Sequence, residues 1–207
     1  MPKPKSINRT YYRIKTMGTD YDEIEEGLLS RFTTLYEDGK YEEALECINE
    51  LIRLKPDHGI GWFLKGRLLC EMGRFEIAEP CLRRAVELEP NRIEPLLNLA
   101  YAYMGLGNIE EAISVLERAN ALYPNDIDVL MLTALCYAIL EDEEKTREYW
   151  EKALKINPKE AAEFAQEYFE KGILPSDDIP AEEKIELQKM LNEIMAKVAV
   201  LTKKPNA

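Results

Sequence analysis

The chain has 207 residues, 46% of them apolar, and a formal net charge of −12. That is enough apolar material for a sizeable core, which excludes wholesale disorder. The acidic balance excludes a general nucleic-acid binder, which must neutralise phosphates with Lys and Arg.

Residues 1–19 read as a basic, flexible tail. They carry Lys3, Lys5, Arg9, Arg13 and Lys15 and no acid, a local +5, so the remainder is −12 − 5 = −17. Such a tail stays solvated, folds back onto the acidic body or touches an anionic partner. No apolar stretch of a secretory signal accompanies its basic residues, and no run reaches the ~18 apolar residues of a membrane span. Cys47, Cys70, Cys81 and Cys136 show no CxxC spacing. Reduced, mostly buried thiols in a cytoplasmic protein are therefore expected.

Over residues 20–158 the chain is periodic. Pro56, Pro90, Pro124 and Pro158 recur every 34 residues. A fixed period of this length marks a stacked structural unit. With each proline at position 32, the repeats are 25–58, 59–92, 93–126 and 127–160. Position 8 reads Phe32, Gly66, Ala100, Ala134, and position 20 reads Ala44, Ala78, Ala112, Thr146. Small residues there let two helices approach closely. Large residues at position 4 (Leu28, Trp62, Leu96, Leu130) and position 24 (Ile48, Leu82, Leu116, Trp150) fill the space around that contact. Position 15 reads Gly39, Gly73, Gly107, Glu141, and suits a turn that needs positive φ. Each proline is expected to stop the second helix of its repeat.

Three departures are visible. Phe32 replaces a small residue, so the first repeat is expected to pack more loosely. Glu141 and Thr146 replace Gly and Ala in the fourth. Pro80 falls inside the second helix of repeat two and removes the N–H that would bond back to Glu76, so a kink or a locally opened turn is expected there.

These columns resemble the tetratricopeptide-repeat family. Repeat two gives Trp62-x2-Lys65-Gly66-x2-Leu69, then Ala78, Leu82, Ala85, Pro90; repeat three gives Leu96-x2-Leu99-Ala100-x2-Tyr103, then Ala112, Leu116, Ala119, Pro124. The resemblance covers four repeats at 25–158. It implies an all-α fold, a right-handed α-α superhelical solenoid with C-terminal capping helices.

Beyond the repeats, 159–172 reads as a capping helix that begins a fifth, unfinished repeat, and 173–180 as a linker broken by Gly172, Pro175 and Pro180. Residues 181–202 form an amphipathic helix candidate, with Ile185, Leu191, Ile194, Val198 and Leu201 on one stripe, and 203–207 a short tail. That stripe must pack on its own array, on a second copy in a homodimer, or on a lipid surface.

No constellation announces chemistry. The single histidine, His58, lies in a loop between repeats and is expected to be a solvated turn residue. Without it no Ser/His/Asp or Cys/His arrangement can be assembled, and no phosphate-binding Gly-rich loop occurs. Paired acids such as Glu110–Glu111 open second helices and complement their dipoles. No catalytic residue, cofactor or metal is expected.

What the resemblance implies instead is a concave groove lined by first helices. Carried onto this chain, it places Phe63, Arg67, Glu94, Leu97, Asn98, Tyr101, Met104, Asp128, Met131 and Leu135 on that surface. The subclass that clamps a chaperone's C-terminal carboxylate needs Lys, Asn and Arg where this chain has Leu, Glu and Asp, so it is excluded. The groove is apolar with acidic edges. It suits an apolar or amphipathic helical peptide, and the expected function is a non-catalytic protein–protein interaction scaffold or adaptor. The alternative is a self-associating assembly module whose groove is filled by its own C-terminal helix.

Overall fold

Each helical hairpin closes on the same turn, and the turn repeats with the sequence period. In the computed structural model, which describes residues 23–168, 170, 180–182, 184, 185, 188, 189 and 192, Gly39, Gly73 and Gly107 have φ of 72°, 72° and 77°. In each case the residue after the glycine donates its N–H back to the first helix: Lys40 to the Leu35 carbonyl at 2.8 Å, Arg74 to Leu69 at 2.8 Å, Asn108 to Tyr103 at 2.9 Å. This is a Schellman closure, which satisfies carbonyls the helix end would leave without partners. The fourth turn has the same bonds with a side chain in the glycine's place: Glu141 has φ 59° and Asp142 donates to Tyr137 at 3.0 Å.

Among the described residues there are nine helices and no strand: α1 (Glu23–Glu37), α2 (Tyr41–Leu54), α3 (Gly59–Glu71), α4 (Phe75–Leu88), α5 (Ile93–Gly105), α6 (Ile109–Leu122), α7 (Ile127–Ile139), α8 (Glu143–Ile156) and α9 (Pro158–Tyr168). They fall into two compact units, with α1–α6 in the first and α7–α9 in the second.

In the first unit, α1/α2, α3/α4 and α5/α6 are antiparallel hairpins, and α2 packs on α3, α4 on α5 and α3 on α5. The small-residue columns sit at the closest approaches. Ala44, Ala78 and Ala112 are fully buried. A Cβ added at Gly66 would lie 2.5 Å from Leu82 Cγ, so α3 and α4 touch there with no room for a side chain. Phe32 does not loosen the first hairpin: it is buried, and its ring stacks on Tyr36 at 5.9 Å.

Pro80 does not break α4, which stays helical from Phe75 to Leu88. Pro80 sits early in the helix, and Pro80 and Glu76 are both exposed. Water can bond the released Glu76 carbonyl.

His58 also departs from expectation. It caps α3, with the Gly61 N–H donating to Nδ1 at 2.9 Å, which leaves the proton on Nε2 to donate to Glu25 Oε1 at 2.7 Å. Lys55 Nζ donates to Glu25 Oε2 at 2.5 Å. Glu25 is only 4% exposed. The cluster ties the start of α1 to the loop that opens the second repeat.

In the second unit, Ile127, Leu130, Met131, Ala153 and Ala161 form a core, with Tyr149, Trp150, Leu154 and Phe164 packed around it. Thus α9 covers one end of the α7/α8 hairpin. Pro158 opens α9 where the other three prolines lie in turns. Asn157 caps it, accepting from the Glu160 N–H at 3.2 Å and donating Nδ2–H to the Glu160 carboxylate at 3.0 Å.

The 1–19 tail, the 173–180 linker except Pro180 and the 203–207 tail lie outside the described residues, as does much of the 181–202 candidate. Its described positions are helical, and Ile185 is 58% exposed.

Candidate interaction groove

Consecutive first helices of the first unit are linked by alternating rings and guanidinium groups. Arg67 on α3 lies 4.8 Å from the Tyr36 ring of α1 and 6.0 Å from the Phe63 ring one turn away. Arg92, just before α5, lies 5.8 Å from the same Phe63 ring. Such contacts gain strength where water is excluded, to about 2 kcal/mol or more. Arg67 is 1% exposed.

Carboxylates flank the row. The Tyr36 hydroxyl donates to Glu71, and Arg92 reaches Glu89 at 2.6 Å and Glu94 at 3.2 Å. Burial raises the Tyr36 phenol, Arg67 opposes that, and the hydrogen bond to Glu71 adds to it. Tyr101 on α5 meets Phe75 edge-on at 5.9 Å, and burial, with Cys70 and Glu71 adding, pushes its phenol to about 12. Asn98 Nδ2 donates to the Glu94 carbonyl at 2.9 Å, while Asn98 Oδ1 is buried with no hydrogen-bond partner among the described residues.

The structure brings Phe63, Arg67, Glu94, Leu97, Asn98, Tyr101 and Met104 together on α3 and α5, but not as an open surface. All are buried except Glu94, which is partly so. In the second unit Met131 lies in the core with Phe164 against it, while Asp128 and Leu135 are half-buried. The expectation of freely accessible anchors at Phe63 and Tyr101 is therefore corrected. Both rings are packed inside the first unit, Tyr101 against Phe75 of α4 and Phe63 against Arg67 and Arg92, and truncating either carries a stability cost.

Arg92 and the Glu25–His58–Lys55 cluster escaped the sequence reading. Arg92 lies in a loop between repeats, and Glu25 meets His58 across 33 residues, so neither belongs to a local pattern.

All four cysteines are free and buried. Burial, with Glu71 and Cys81 adding, pushes the Cys70 thiol up to about 12, and burial alone does so for Cys136. Such thiols are poor nucleophiles. Among the described residues, no three His, Cys, Asp or Glu side chains are grouped to hold a metal, and no helix is long and apolar enough to cross a membrane.

Residues 49–164, more than half the chain, match the family model of the cytochrome c-type biogenesis protein H TPR domain, and residues 33–58 match the tetratricopeptide repeat model. The chain belongs to the tetratricopeptide-repeat family. No curated protein matches it.

Solved tetratricopeptide-repeat structures share its fold. MamA (41 to the end) from Desulfovibrio magneticus RS-1 is 22% identical with a TM-score of 0.62, over 65% of this chain and 76% of that one. YrrB, a TPR protein with an unusual peptide-binding site, is 24% identical with a TM-score of 0.61, over 69% and 74%. TTC0263, a thermophilic TPR protein of Thermus thermophilus, is 21% identical with a TM-score of 0.59, over 83% and 99%. These likenesses establish a tetratricopeptide-repeat α-solenoid fold.

Proposed function

We propose that this tetratricopeptide-repeat chain is a non-catalytic interaction scaffold. It binds an amphipathic helical peptide with basic flanks along the first helices of its repeats. The row Tyr36–Arg67–Phe63–Arg92 with its flanking carboxylates is the observation that supports this reading. Its packed rings and guanidinium groups form a rigid base for the face, and the acids beside it suit basic flanks. Asn98 Oδ1 adds a buried acceptor that can fix a ligand's orientation. YrrB, similar in fold, carries a peptide-binding site by its description.

The test selects peptides from a displayed random library on the full chain, then compares them on a Glu94→Gln variant. Basic-flanked amphipathic peptides are expected to emerge and to lose at least fivefold in affinity on the variant. Selection of neutral or acidic peptides, or indifference to Glu94→Gln, refutes the groove reading.

Self-association is a second reading, and the exposure of Ile185 favours it over a groove filled by the C-terminal helix. A homodimer through that helix should revert to monomer with Ile185→Glu in light scattering. An unchanged mass removes it.

A further inference from the structure

The single histidine of the chain joins two helices of the first unit through its two ring nitrogens. His58 Nδ1 accepts from the Gly61 N–H at 2.9 Å, at the start of α3, and Nε2 meets Glu25 Oε1 of α1 at 2.7 Å. The ring is only 12% exposed, and Glu25 is buried. The two bonds together require a neutral ring with its proton on Nε2. A protonated ring carries N–H on both nitrogens. Its Nδ1–H then points at the Gly61 N–H, donor against donor, and the cap is lost. Its Nε2–H keeps an acceptor, and that bond becomes charge-assisted at both ends.

We propose that His58 is a proton-operated switch: the neutral ring caps α3 while holding α1, and the protonated ring releases the first turn of α3 and holds α1 alone. The device stands whatever the groove face binds.

Three features set this direction. The first is the helix end. A cation is disfavoured at a helix N-terminus, so the dipole of α3 opposes the charged ring in addition to the lost bond. The second is the receiving carboxylate. Burial acts to raise the Glu25 carboxyl, but hydrogen bonds from Lys55 and His58 outweigh that and hold it below the usual glutamate value, so it is ionised when a histidine takes up its proton.

The third is the state of the other charges around the ring. Lys55, at the end of α2, reaches Glu25 Oε2 at 2.5 Å. Asp57, in the loop, is held by Arg84 of α4 at 2.8 Å. Glu89, at the end of α4, lies against Gly59 of α3, where an added Cβ would be 2.6 Å from its Oε1, and is held by Arg92 at 2.6 Å. Glu25 is the acid in direct contact with the ring, so the new charge is drawn towards α1 and away from the α3 cap.

The test is nuclear magnetic resonance on the full 15N-labelled chain at pH 7.5 and pH 5, where one histidine makes the ring signals unambiguous. At pH 7.5 Nδ1 is expected without a proton. At pH 5 it should carry one, and the protection of the Gly61 amide, relative to unstructured chain at each pH, should fall at least tenfold with the same midpoint. The Phe32 amide in α1 should keep its protection. His58→Asn retains a cap acceptor but does not titrate, so its Gly61 protection should differ less than twofold between the two conditions. A protonated Nδ1 at pH 7.5, unchanged Gly61 protection in the wild type, an equal fall in His58→Asn, or loss of protection at Phe32 overturns the proposal. Should the variant not fold, different midpoints for Nδ1 and Gly61 in the wild type overturn it equally.

Discussion

Glu141 holds a backbone conformation that its three counterparts assign to glycine. A left-handed residue with a Cβ costs roughly 1 kcal/mol relative to glycine. Glu141→Gly should therefore stabilise the second unit by about 1 kcal/mol in urea denaturation, although glycine also loosens the unfolded chain. The sequence column made this turn legible, because the demand for positive φ is local. Glu25 is the opposite case: its partners come from another repeat, and no local pattern announces them. Burial acts to raise its carboxyl, but hydrogen bonds from Lys55 and His58 outweigh that and hold it below the usual glutamate value. A lowered folded-state value means the contribution is present above the ordinary glutamate range and is lost as pH falls through the folded value. Glu25→Gln should cost about 1–3 kcal/mol near neutral pH. The gap between wild type and variant should narrow on acidification below about pH 4.3 in urea titrations.

At the scale of elements, contacts between helices follow the repeat columns closely. Gly66 is one of the close approaches, and its substitution tests the helix contact directly. Gly66→Ala should destabilise by about 1–3 kcal/mol despite alanine's better helix propensity, because the added methyl meets Leu82 within 3 Å. A gain in the urea midpoint would show that α3 and α4 can part without loss. The cap is a second test. Phe164→Ala removes the ring that α9 lays against Met131 and its neighbours, at a cost of about 2–4 kcal/mol since Phe164 is only partly buried. Hydrogen exchange of α7 and α8 should accelerate accordingly. Periodicity made these helices readable, and it also misled once. Pro158 shares the column of the helix-stopping prolines, yet it starts α9, because Asn157 supplies a cap that the column does not encode.

For the whole molecule, the charge imbalance is the property most open to test. A body of −17 repels itself, and most of its described ion pairs lie at the surface, where each is worth little. Screening should relieve the repulsion, so Tm should rise by a few degrees between about 10 mM and 150 mM salt in scanning calorimetry. A fall would mean that the ion pairs outweigh the self-repulsion. The architecture was legible in the sequence because repetition multiplies a weak local signal until chance cannot explain it. The state of the groove was not. Whether Phe63 and Tyr101 meet water depends on what the rest of the chain places against them, and apolar groove positions read the same whether covered or open.

The buried cysteines turn this molecule into its own clock. Cys47, Cys70 and Cys81 belong to the first unit and Cys136 to the second, and all four are shielded in the folded state. A maleimide in excess reacts with each only when its surroundings open, so the labelling rate at each position, read by mass spectrometry, reports how often that part of the array breathes. The same shielding leaves the exterior without native thiols among the described residues, and one cysteine introduced on an outer helix face can take a dye with the native four still in place.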